Sequence, residues 1–226
     1  MYCQDKLLIL DADGTTIDAF SAMETAFQAN KLNLGDLERF QKRRHLFKYI
    51  GGLKEFPANL ANQVSKTKRE RLIDTLTEIY RHEASLYEGM ADWMNQLTSL
   101  EGLRVGVITR NVTRDATETI KLLLERHGID VSRFDFLLHL PLKKSKAAAF
   151  RLVREKYSIN PALSYACGDE KKDFLACIET GIHPFMVSYG FEDYERLTQK
   201  IGVPSEIISE SPSALRQRVN HTLGIA

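Results

Sequence analysis

Two aspartates two residues apart, Asp11 and Asp13, close a short apolar run, Leu7-Leu8-Ile9-Leu10, and are followed by Gly14 and Thr15. In an extended chain, side chains at i and i+2 leave the same face, so the two carboxylates would share one space. Adjacent like charges are poorly stable alone; a hard divalent cation that prefers oxygen ligands, such as Mg²⁺, is the natural remedy. Gly14 allows a sharp turn and a close approach of ligand to backbone. Further along, Thr109-Arg110-Asn111 offers a hydroxyl and backbone N–H groups at the mouth of a helix, a place suited to phosphate oxygens. Lys143, Lys144 and Lys146 precede another helix. Asp169 and Asp173 in Gly168-Asp169-Glu170-Lys171-Lys172-Asp173 are spaced to face one way across a first helical turn. Together these groups suit phosphoryl chemistry.

Other readings compete for the first motif. A calcium loop of the EF-hand type fails in register: counted from Asp11 the twelfth residue is Ala22, and a frame starting at Ile9 ends in Phe20. An ordinary strand end with turn-forming aspartates stays open on these residues alone. So does a helix N-terminus capped by Asp18 and Ser21, which is compatible with a catalytic loop before it.

The elements that must position these groups follow from periodicity. Leu7–Leu10 reads as a strand buried on both faces of a parallel sheet, where ligands gather at the carboxyl ends. Residues 18–88 read as helical, with a long candidate over 66–86 whose stripe is Leu72, Ile73, Leu76, Ile79 and Tyr80, and with breaks at Gly51-Gly52 and Pro57. From about residue 103, strand and helix alternate. Strands are expected over 103–109, 134–138, 163–168, 185–187 and 206–208. Helices are expected over 91–100, from Asp115 to His127, from Ser145 to about Lys156, up to Thr180, and from Ser213. This alternation predicts a doubly wound α/β fold with a parallel sheet, its core at 1–17 and 89–226 and an all-α insertion at 18–88.

Composition narrows the class. A hydrophobic share of 43% with 27% charged residues suits an ordinary globular protein, and a net charge of +1 gives no field that would favour nucleic acid or an anionic membrane. No run approaches a bilayer span, and the start lacks a signal-peptide pattern. Cys3, Cys167 and Cys177 lack metal-type spacing, so free thiols in a reducing cytoplasm are expected. The basic residues Arg39, Lys42, Arg43, Arg44, Lys48 and Lys54 read first as a solvated face, or as a source of one or two cations for the cleft.

Taken in order, Asp-x-Asp-Gly-Thr, the strand-end Thr109, a lysine and Gly-Asp-x-x-x-Asp resemble the haloacid dehalogenase superfamily, and the helical insertion resembles the cap of its phosphoglycolate-phosphatase-like branch. The resemblance implies a Rossmann-like core. Asp11 would be the nucleophile and Asp13 the acid and base. Mg²⁺ would be held by the Asp11 carboxylate, the Asp13 carbonyl and Asp169, with Asp173 orienting that shell. Gly14, Thr109, the N–H of Arg110 and Lys144, which best matches the usual distance from Gly168-Asp169, would grip the phosphoryl group. A carboxylate at Asp13 favours phosphate esters, since halide leaves without a proton. The implied activity is a phosphatase on a small phosphorylated metabolite, of phosphoglycolate or sugar-phosphate type. The alternatives are a phosphosugar mutase and a non-catalytic binder of a phosphorylated ligand or partner. Glu170, Arg110, Ser145 and Thr16 depart from the usual pattern. Cap motion is expected to hinge near Ile17-Asp18 and Glu88-Gly89.

Overall fold

The structure is a computed structural model that describes residues 2–31 and 66–225. The basic residues between Arg39 and Lys54 lie outside the described residues, as does the middle of the expected insertion. The strands are β1 (Lys6–Leu10), β2 (Leu103–Thr109), β3 (Phe136–His139), β4 (Ser164–Gly168), β5 (His183–Val187) and β6 (Ile208–Ser209). They form a six-stranded parallel sheet in the order β3-β2-β1-β4-β5-β6. β1 is central, and the winding reverses beside it, between β1 and β4. Such a switch point opens a crevice at the carboxyl ends of the strands.

Helices α1 (Ala19–Ala29), α2 (Lys66–His82), α3 (Met90–Leu97), α4 (Ala116–Arg126), α5 (Lys146–Lys156), α6 (Lys171–Thr180) and α7 (Pro212–Leu223) surround the sheet. The pleat of β1 sorts its side chains. Leu8 and Leu10 join a cluster with Met94, Leu97, Ile120, Leu123, Leu215 and Val219 from α3, α4 and α7. Leu7 and Ile9 join one with Phe150, Val153, Ala176 and Cys177 from α5 and α6. A strand apolar on both faces is what a two-sided layer requires. The three cysteines are free thiols, two of them buried.

Among the described residues the expected elements are present with shifted ends. The sequence places the last strand at 206–208, but Ser205–Ile207 forms a 3-10 turn and the strand is Ile208–Ser209. The last helix begins at Pro212, capped by the Ser211 hydroxyl. The long insertion helix stops at His82 rather than 86, and residues 85–87 instead run beside 16–18: Asp18 N donates to Ser85 O at 2.9 Å and Tyr87 N to Thr16 O at 3.0 Å. Buried residues of α1 (Ala22, Met23, Ala26, Phe27) and α2 (Leu72, Leu76, Ile79, Tyr80) belong to the same apolar cluster as Leu8 and Leu10. No helix among the described residues is long and apolar enough to cross a membrane.

Candidate active site

β1 ends at Leu10, and the chain then folds into a tight loop: the N–H groups of Thr15, Thr16 and Ile17 all donate to Ala12 O, and Gly14 N donates to Ile17 O. Gly14 takes φ +79°, a left-handed conformation that glycine adopts without penalty. A Cβ there would also collide with the Asp169 carboxylate, and one on Gly190 would meet the same carboxylate oxygen. Both glycines let backbone close around Asp169.

Asp11 and Asp13 are both buried, as are Thr109, Arg110, Lys146, Asp169 and Asp173. Oxygens of Asp11, Asp169 and Asp173 lie within 4.8 Å of one another. Burial raises the Asp11 carboxyl to about 7; Lys146 opposes that rise and Asp173 adds to it. Burial also raises Asp13 to about 6, against hydrogen bonds from Tyr80 and Asn111 that favour its ionised form. Asp169 is pushed well above the carboxylate range by burial and then by Asp11, Glu170 and Asp173. Buried carboxylates raised in this way are short of positive charge. Asp169 Oδ2 accepts from Phe191 N at 2.6 Å, while its Oδ1 is buried without a hydrogen-bond partner. A bare buried carboxylate oxygen beside a second carboxylate fits a hard divalent cation. Mg²⁺ suits this donor set.

Of Lys143, Lys144 and Lys146, it is Lys146 rather than the expected Lys144 that stands among the aspartates. Lys144 is exposed, whereas Lys146 is buried and its Nζ donates to Asp11 Oδ2 at 2.7 Å and to Asp173 Oδ1. The reason is helical phase. Lys146, Ala149, Phe150 and Val153 form the buried face of α5, and Lys144 precedes the helix. A lysine on that apolar stripe was the readable signal; distance along the chain was a poorer guide. Burial alone would lower the Lys146 pKa, but Asp11 and Asp173 more than offset it and the ammonium is held charged. Asp173 has both oxygens committed, one to Lys146 and the other to Glu170 N at 3.0 Å, where it caps α6.

At the end of β2, Thr109 Oγ1 accepts from Asn111 N at 3.0 Å, so the hydroxyl keeps its own proton for another acceptor. Two of the four departures from the usual pattern meet each other: Arg110 donates to Glu170 at 2.9 Å. Arg110 Nε is buried and unpartnered. Asp11, Asp13, Arg110, Lys146, Glu170 and Phe191 line a cavity of about 10 Å³, room for one water-sized group.

Two site residues were not singled out from sequence. Asn111 Nδ2 donates to Asp13 Oδ1 at 3.1 Å and Oδ2 at 3.0 Å, its amide orientation fixed by Thr113 N donating to Asn111 Oδ1 at 2.9 Å. Tyr80 Oη donates to Asp13 Oδ1 at 2.7 Å. Asn111 belongs to the strand-end Thr109-Arg110-Asn111 motif, but Tyr80 has no local signal, being one apolar-stripe residue among several.

A sequence model described as haloacid dehalogenase-like hydrolase matches residues 8–187. A phosphoglycolate phosphatase of Vibrio cholerae is 27% identical over 204 residues, which is 84% of this chain and 87% of that protein. A haloacid dehalogenase-like hydrolase from Streptococcus pneumoniae superposes with a TM-score of 0.65 at 19% identity, covering 96% of this chain and 99% of the other. A structure described as a candidate β-phosphoglucomutase from Thermotoga maritima gives 0.64 at 16% identity, with coverage of 96% and 99%. At these identities the structural likeness speaks for the fold.

Proposed function

This chain belongs to the haloacid dehalogenase-like hydrolase family, and we propose that it is a Mg²⁺-dependent phosphatase acting on a small phosphate monoester of phosphoglycolate or sugar-phosphate type. The observation that carries this reading is the meeting of Asp11, Asp13, Lys146 and the bare Asp169 oxygen at the carboxyl end of β1. The phosphoglycolate phosphatase relatives, similar over most of the chain, support the substrate class.

In this reading the Asp11 carboxylate attacks phosphorus, and the bond from phosphorus to the leaving oxygen breaks as Asp13 gives that oxygen a proton. Asp13 then takes a proton from the water that attacks the aspartyl-phosphate, and the cleaved acyl phosphate restores Asp11. Lys146, the Thr109 hydroxyl and the Arg110 N–H hold the phosphoryl oxygens as charge moves onto them. Asp11, the Asp13 carbonyl and Asp169 would hold Mg²⁺, which when bound neutralises the carboxylates and the phosphate.

The test is phosphate release from a panel of phosphorylated metabolites, with Mg²⁺, with chelator, and with Asp11→Asn. Release that needs both Mg²⁺ and Asp11 is the expected result. No release, with a phosphoryl group trapped on Asp11, would point instead to a phosphosugar mutase that returns the group to its substrate. Absence of both release and labelling would leave a binding protein.

A further inference from the structure

We propose that Tyr80, carried by the insertion helix α2, is a positioning residue for the proton donor Asp13; this rests on the phosphatase reading above. Tyr80 is 2% exposed and Asp13 5% exposed, and the hydroxyl donates to Oδ1 at 2.7 Å. From the opposite element, the end of β2, Asn111 reaches both Asp13 oxygens. The carboxylate is thus clamped between a core side chain and an insertion side chain. With both oxygens engaged, its rotation about the Cβ–Cγ bond is fixed.

Tyr80 itself is fixed by what holds α2. Thr77 Oγ1 accepts from Arg114 N at 2.8 Å, Asp74 accepts from Arg114 Nε at 2.7 Å, and Arg81 Nε donates to Thr119 Oγ1 at 3.2 Å. His127 Nε2 lies 3.1 Å from Ala84 O just beyond the helix. These bonds tie α2 to α4 and the loop before it. They place the Tyr80 hydroxyl on Asp13 from a scaffold separate from the loop that bears Asp13. A packing role alone would be met by phenylalanine, without adding a hydroxyl that needs a partner in a buried site.

Proton donation matters most when the leaving oxygen cannot depart as a stable anion. Tyr80→Phe keeps the ring and removes the hydroxyl. Its kcat/KM, which reports steps up to departure of the leaving group, is compared with the parent on an alkyl phosphate taken from the panel and on p-nitrophenyl phosphate. Asp13→Asn is measured in parallel. The alkyl ester should lose about tenfold more than the aryl ester in Tyr80→Phe, and Asp13→Asn should show the same bias more strongly, since general acid catalysis contributes ~10²–10⁴-fold. Equal losses in Tyr80→Phe beside a biased Asp13→Asn overturn the role of Tyr80 and leave Asp13 as the acid. An unbiased Asp13→Asn overturns the acid assignment and the proposal with it. Should Tyr80→Phe not fold, Tyr80→Met, an unbranched side chain that adapts to a buried site and carries no hydroxyl, is read for the same bias: its presence supports the proposal and its absence overturns it.

Discussion

A lysine ammonium buried between two carboxylates cannot be removed without leaving both uncompensated. Lys146→Met should therefore cost about 3–5 kcal/mol of stability in urea unfolding, the usual cost of breaking a buried pair, and, in the proposed reaction, at least ~100-fold in kcat for loss of a donor to the phosphoryl group. Lys144→Ala, exposed and outside this cluster, should stay within about threefold of the parent in kcat/KM and within ~0.5 kcal/mol in stability. The reverse ranking would return Lys144 to the site. Arg110 and Glu170 make a second residue-scale case. Each departs from the common pattern, and each is the other's ion-pair partner at 2.9 Å in a mostly buried setting. Arg110→Met and Glu170→Gln should couple in a double-mutant cycle by roughly 0.5–3 kcal/mol; strictly additive effects would separate them. The aspartates were legible because a strand end followed by Asp-x-Asp-Gly is a local pattern. The lysine needed the phase of α5, and the Tyr80 contact joins residues 67 apart in the chain, which no local pattern encodes.

At the scale of elements, apolar runs and caps located nearly every strand and helix of the core, because a doubly buried strand must be apolar on both faces. The ends were less legible: a two-residue strand such as β6 has too few side chains to show a period, and its extent is set by pairing with β5. The expected hinge meets a physical objection. Around Ile17 and Leu86 the two connections form an antiparallel bridge, flanked by the backbone bonds of Asp18 to Ser85 and Tyr87 to Thr16. Movement of α2 with the insertion would also break its bonds to Arg114, Thr119 and Asp13. α2 is therefore expected to share the stability of the core. Its central amides, around Leu76 and Ile79, should exchange with solvent about as slowly as those of α4 in native-state hydrogen exchange. Exchange of α2 faster by several orders of magnitude, with α4 still protected, would restore a hinge that carries α2 away.

The whole molecule bears the charge imbalance of its site, and pH exposes it. Asp11 rises from an ordinary value of 3.8 to about 7 and Asp13 to about 6, with Asp169 moving the same way. A carboxyl with a raised pKa in the fold binds more protons there than in the unfolded chain. Stability must then fall as pH rises between the two values, from about 4 to about 7. Lys146, raised above its usual 10.5, contributes its dependence only in alkaline solution and does not disturb this window. In the proposed role Mg²⁺ would bind the ionised carboxylates, so it should relieve the same penalty and bind more tightly as pH rises. In chelator the melting temperature should decline from pH ~5 to pH ~7.5. Saturating Mg²⁺ should raise it at the upper end: a hundredfold excess over Kd is worth about 2.7 kcal/mol, or ~5–10 °C for a chain of this size. The gap should narrow towards pH ~5, and Asp169→Asn should shrink it throughout. A metal-free melting temperature that rises over this range would mean that Lys146 and the surrounding N–H donors already balance the carboxylates, and that the bare Asp169 oxygen is not waiting for a cation.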